Sequence, residues 1–240
     1  MNPGGGFWNI NFGSDSRKKL SFGIGVNGGW NEAGGWNTGG YLSLNMKPST
    51  SISISTGPDY FRSRNVAQYV KTVQDPAAAY GNRYVFADLD QAQVGFTTRV
   101  NWILSPRMSL QVYSQPLISI GDYWDLKEIS DPRGFGFSRY GIEKGTILLN
   151  QPDNYRIDPD GDGPASGFDV ANPDFNFRSL KINAVFRWEW RLGSTLYFVW
   201  SESRSDSQTT GNFAARDLKR LFAAPANDIF LVRLAYWFGK

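Results

Sequence analysis

Apolar and polar residues alternate with period two along this chain, over stretches longer than most globular strands, and nothing else in the sequence restricts its fold as tightly. From Leu180, the series Leu180, Ile182, Ala184, Phe186, Trp188 and Trp190 opposes Lys181, Asn183, Val185, Arg187, Glu189 and Arg191. Val94, Phe96, Thr98, Val100, Trp102 and Leu104 oppose Gln93, Gly95, Thr97, Arg99, Asn101 and Ile103. Shorter copies begin at Leu20, Leu42, Ile52 and Phe230. Successive side chains of a strand point to opposite faces, so each segment reads as a strand with one apolar and one polar face. A 15% aromatic share and 26 glycines beside only three methionines agree with strands and argue against a helical bundle.

Strands of this kind build either a soluble antiparallel sandwich or a membrane barrel. Eleven residues exceed the usual globular strand of about 5 to 6 and suit a tilted membrane crossing. Aromatic residues also gather at strand ends, as at Trp102, Trp188, Trp190 and Tyr236 to Phe238, where rings fit a membrane–water interface. No run of 18 apolar residues occurs, which excludes a spanning helix, whereas a barrel keeps a mean hydropathy like the −0.39 found here. The expected fold class is therefore all-β: an antiparallel meander forming an outer-membrane-type β-barrel or partial barrel with long outer loops.

Tight turns are expected at Ser14 to Lys19, Lys47 to Thr50, Ser105 to Arg107 and Arg191 to Ser194, which would mark the periplasmic side. Long or irregular connections are expected at Asn31 to Gly35, about Pro58 to Asn82, Gly121 to Asn176 and Arg204 to Asn227, which would mark the outer side. Nine strands lie between them, near 7–13, 20–30, 36–46, 51–57, 83–104, 108–119, 177–191, 195–203 and 228–238. A closed bacterial barrel needs an even number. The odd count and the lack of a signal peptide predict that residues 1–240 are the C-terminal β-barrel region of a longer protein, with at least one N-terminal strand missing. Leu180, Phe186, Trp188, Phe96, Trp102, Leu234 and Phe238 are expected to face outer-membrane lipid. Arg99, Lys181, Arg187, Arg191 and Arg233, set against Glu189, are expected to give a basic inner face.

The chain has neither cysteine nor histidine, which removes thiol nucleophiles, imidazole bases and Cys or His metal ligands. Its 25 Lys and Arg balance 22 Asp and Glu without a charged block, so nucleic acid is not an expected partner. The run from Asp158 to Asp169 matches the calcium-loop spacing D-x-D-x-D-G, with Asp169 in place of the usual closing Glu. Asp158, Asp160, Asp162 and Asp169 are accordingly candidate calcium ligands in the long outer loop 121–176; the plainer reading is a solvated acidic turn. Carboxylate pairs for glycoside hydrolysis could be drawn from Asp88, Asp90, Asp122, Asp125, Glu128 and Glu189, although sequence cannot supply their separation. Tyr60, Phe61, Tyr69, Tyr123, Trp124, Phe135 and Phe137 would stack on a glycan, on a partner protein or on one another.

The blocks RYVFADLDQ (Arg83 to Gln91), SLQVYSQPLIS (Ser109 to Ser119), NPDFNFRSLKINAVFRWEW (Asn172 to Trp190) and STLYFVWS (Ser194 to Ser201) resemble the C-terminal half of a bacterial outer-membrane family catalogued as domain of unknown function 5916. The resemblance covers about residues 5 to 240. It implies a barrel-like region that in full-length members follows a sandwich resembling a carbohydrate-binding module, absent here, and it carries over no catalytic residue. The function expected of such a barrel segment is surface anchoring, display or transport at the outer membrane, non-enzymatic in this region. The alternative is part of a carbohydrate-binding or glycoside-processing outer-membrane protein.

Overall fold

The computed structural model describes residues 3–78, 81–131, 134–150, 153–214 and 216–238. Its strands are β1 (Gly5–Gly13), β2 (Leu20–Asn31), β3 (Trp36–Ser49), β4 (Ile52–Gln74), β5 (Asn82–Ser105), β6 (Met108–Asp131), β7 (Gly136–Arg139), β8 (Thr146–Leu149), β9 (Asn154–Asp158), β10 (Phe168–Ala171), β11 (Phe175–Arg191) and β12 (Ser194–Gln208). Helix α1 (Arg216–Ala223) and strand β13 (Ala226–Ala235) complete the chain. One antiparallel sheet runs β1-β2-β3-β4-β5-β6-β11-β12-β13, with β7 attached to β6, and β10-β9-β8 form a second, small sheet. The main sheet is an open meander, a partial barrel with β1 and β13 at its edges.

The nine predicted strands are the nine of the meander. Short turns close the hairpins at one end (the turn end), while the two long excursions, after β6 and after β12, lie at the other (the loop end), where the link between β2 and β3 is itself a short turn. The expected long or irregular connections differ: Asn31–Gly35 is a short turn between β2 and β3, and of Arg204–Asn227 the first residues continue β12 to Gln208 and Arg216–Ala223 form α1. Residues 58–74 belong to β4, so the excursion between Pro58 and Asn82 shrinks to the turn after Gln74. Gly121 to Asp131 continues β6, and the rest of the expected 121–176 loop holds β7, β8, β9 and β10. In both segments charged residues interrupt the alternation, Arg62, Arg64 and Lys71 in β4 and Asp122, Asp125, Lys127 and Glu128 in β6, so no apolar face of period two stands out in the sequence.

Register carries the alternation from single strands to the whole sheet. One ladder of paired residues runs Leu20, Met46, Ile54, Val100, Val112, Ala184, Trp200, Phe230 across eight strands. Every member is apolar. The adjacent ladder, on the opposite face, runs Ser21, Asn45, Ser55, Arg99, Tyr113, Asn183, Ser201, Ile229, and is polar until its last residue. Along β2 the apolar face continues from Leu20 toward the loop end through Phe22, Ile24 and Val26, whereas along β12 it continues from Trp200 toward the turn end through Phe198 and Leu196. The apolar stripe thus crosses the ladder diagonally, as a level band must on strands tilted by roughly 35–45°.

Nothing among the described residues is stacked on this band: Phe22, Phe96, Trp102, Trp188 and Phe198 are each between 42% and 45% exposed. A sandwich would bury them against a second sheet. The buried apolar cluster lies elsewhere. Val85, Ala87 and Leu126, from the loop-end parts of β5 and β6, pack with Tyr140, Ile157, Phe168 and Val170. This small head stands on β4, β5 and β6, which at 23, 24 and 24 residues are far longer than the about 9 to 11 that a membrane strand needs. Leu180 departs from its expected exposure. It keeps the apolar face of β11 but is buried, because α1 covers that end of the strand.

Candidate functional site

Three surfaces carry the chain's chemistry: the apolar band, the polar face behind it, and the head. On the polar face, glycines make room for long side chains. A Cβ on Gly25 would lie 2.2 Å from the Tyr41 ring and 2.4 Å from Asn11 Oδ1, so glycine lets the Tyr41 hydroxyl reach Asn11 at 3.2 Å. Asn183 donates to Ser201 Oγ at 2.7 Å, the Tyr113 hydroxyl donates to Gln115 Oε1 at 2.9 Å, and the Arg99 guanidinium lies 5.3 Å from the Tyr113 ring centre. Of the five expected basic residues, Arg187 pairs with Glu189 at 3.0 Å and Arg191 donates to the Tyr236 hydroxyl at 3.0 Å. Arg99, Lys181 and Arg233 have no carboxylate within ion-pair distance among the described residues, so the face keeps a basic bias.

The head is organised by buried ions that the sequence did not announce. Arg83 on β5 bonds Asp75 at 2.5 Å and Glu128 at 2.9 Å, and Glu128 also accepts from the Tyr140 hydroxyl at 2.7 Å and from Lys144. Burial alone would raise the Glu128 carboxyl, but hydrogen bonds from Lys144, Tyr140 and Arg83, with the charge of Arg83, hold it below its ordinary range. The Arg83 hydrogen bond likewise lowers Asp75. Burial, and then the bond to Glu128, push the Tyr140 hydroxyl up. A second knot forms where β5 and β6 slip register between Phe86 and Asp88. The opposing Asp125 takes a left-handed φ of 58°, tolerable for an aspartate, and Lys127 beyond it pairs with Asp88 and lies 3.7 Å from Asp125. The expected glycosidase carboxylates are therefore mostly engaged: Asp88 with Lys127, Asp90 with Arg64 at 2.8 Å, Glu128 with Arg83 and Glu189 with Arg187. Asp122 is exposed and is raised by partial burial and by the nearby Asp174 and Asp90 charges.

The candidate calcium ligands are placed as a turn. Asp158 Oδ1 accepts the Gly161 N–H at 3.0 Å, and Asp160 Oδ2 accepts the Ala165 N–H at 3.0 Å. Asp169 lies in β10, paired with Arg156 at 3.2 Å, and the Asp169 carbonyl accepts from Lys71 at 2.9 Å. The structure brings Asp158 and Asp160 onto one turn but leaves the closing carboxylate on a strand. No group of three or more acidic residues among the described residues is spaced to hold a metal ion. Asp160 Oδ1 is buried with no hydrogen-bond partner among the described residues, and a cation there would satisfy it.

The loop aromatics are mostly strand residues: Tyr60, Phe61 and Tyr69 in β4, Tyr123 and Trp124 in β6, and Phe137 in β7. Phe135 precedes β7 and meets Phe137 edge-on at 5.6 Å. The two rings border a cavity of about 590 Å³ that Gly4, Glu32, Ala33 and Val66 also line. No sequence pattern marked this cavity, because its walls come from segments far apart in the chain.

Residues 145–239 match the family described as Domain of unknown function (DUF5916), the family that the sequence blocks resemble. The match takes in the small sheet from Thr146 onward, β11, β12, α1 and β13. No curated protein and no solved structure matches the chain.

Proposed function

We propose that this chain is a membrane-embedded section of a bacterial outer-membrane barrel, which anchors and displays the head at the cell surface. The observation that carries the reading is the pair of ladders: eight apolar residues on eight strands, none of them fully buried, backed by a polar face. A soluble monomer rarely exposes an apolar patch beyond roughly 300–600 Å². Lipid is the solvent that suits a band only as tall as a tilted crossing, with one face wet and the other dry. The edges β1 and β13 then pair with further strands or with each other, since open sheet edges do not persist in hydrocarbon. The test is extraction and migration. The protein should need detergent for solubility and should migrate differently in a gel before and after heating; a protein that is monodisperse in plain buffer, with no heat shift, overturns the proposal.

A second reading, glycan capture by the head, rests on the cavity beside Phe135 and Phe137. Half-exposed rings beside a carboxylate suit stacking on a sugar face and hydrogen bonding to its hydroxyls. Glycan-array binding that Phe135→Ala abolishes supports it. Array binding equal in the variant places any sugar site elsewhere.

A further inference from the structure

Helix α1 sits on the sheet face that carries the apolar band. Arg178 shares that face with Ile182, Phe186 and Trp188, is fully buried, and pairs with Asp217 of the helix at 3.1 Å. Asn176, on the same face, donates to Asp217 at 3.0 Å, and Arg204 donates to the Phe222 carbonyl at 2.8 Å. Glu202 and Arg204 follow Trp200 directly on its face of β12, so the helix begins where the apolar band stops. Asp217, Leu221 and Ala224, spaced i, i+4 and i+7, are buried against the sheet.

A flank of the helix, roughly 110° round from the buried stripe at about 100° per residue, is apolar too. Leu218 and Phe222, one turn apart, are 53% and 59% exposed, and Phe213 just before the helix is 53% exposed. Lys219 is exposed beside them, and the single acid of the helix, Asp217, is turned inward. A short helix that already buries one apolar stripe has no need of a second in water. A second apolar stripe flanked by cations, level with the end of a lipid-facing band, suits the layer where acyl chains meet headgroups.

We propose that Phe213, Leu218 and Phe222 insert into the interfacial layer of the surrounding leaflet, with Lys219 against its anionic headgroups. This rests on the membrane reading above, and the two are separable by experiment. The absence of cysteine allows single thiols to be introduced without background labelling. Phe222→Cys and Leu218→Cys on the helix, and Phe198→Cys in the band, would each carry an environment-sensitive fluorophore in the full protein refolded into phosphatidylcholine–phosphatidylglycerol vesicles. The expected result is loss of fluorescence at 218 and 222 with nitroxides placed shallow in the acyl chain, and at 198 with nitroxides placed deep. Quenching at 198 alone overturns the interfacial helix and leaves the membrane section standing. A blue-shifted but unquenched probe at 222, with 198 quenched, means that protein covers the helix and overturns the proposal as well. No quenching at any site overturns both.

Discussion

Arg83 shows how much of the head depends on one side chain. It bridges Asp75 and Glu128, with Lys144 supplying the second positive charge at Glu128, and Arg83, Asp75 and Glu128 are nearly buried. Removing one partner of a buried ion group leaves the others uncompensated, so Arg83→Met should destabilise the head by about 3–5 kcal/mol, read as faster amide exchange in β5 and β6. Both carboxylates are held below their ordinary values of 3.8 and 4.5. A depressed acid stabilises the fold above its unfolded value and loses that contribution as pH falls through the folded one. The contribution of the two carboxylates should therefore be fully present above about 4.5 and be lost as pH falls through their folded values, which lie below 3.8 and 4.5, seen as acid-induced amide exchange in the head before the sheet responds. Arg83, Asp75 and Glu128 were not legible as a group in sequence, because spacing along the chain says nothing about which residues a β-hairpin and a returning strand bring together. Glu128 was named only as one acid among several.

At the scale of elements, the acidic turn and its neighbours are the instructive case. The spacing from Asp158 to Asp169 is local and was readable, but the twelfth position became part of β10, where pairing with β9 sets its direction and Arg156 takes its charge. Binding calcium would require Asp169 to leave Arg156. If calcium orders this turn, proteolysis of 158–169 should slow in calcium relative to chelator, and Asp169→Asn should abolish the difference. Equal cleavage in both conditions leaves a turn held by the Asp158 and Asp160 hydrogen bonds alone. Strand β11 teaches the same lesson differently: its alternation correctly gave one face to Leu180 and Phe186, yet α1 covers the first and leaves the second partly exposed. A cover supplied by a helix that follows the next strand leaves no mark on the period of the strand it covers.

For the whole molecule, the two faces make opposite demands on the same substitution. Val100→Arg, in the middle of the apolar ladder, should cost roughly 2–4 kcal/mol of folding stability in lipid, whereas Asn101→Arg on the polar face should cost little; urea titration of the protein in vesicles measures both. Equal costs would mean that lipid is not what meets Val100. The sequence by itself determined the all-β class, the nine strands of the meander, which side chains share a face and where the tight turns fall, since each follows from the period-two geometry of one strand and the chemistry of its turns. Only the tertiary structure decided that the apolar faces align into one diagonal band, that the sheet stays open between β1 and β13, and that the excursions beyond β6 and β12 fold into a head and a covering helix. Those depend on register between strands and on contacts between residues distant in the chain, where the free energy belongs to pairs that no local pattern contains.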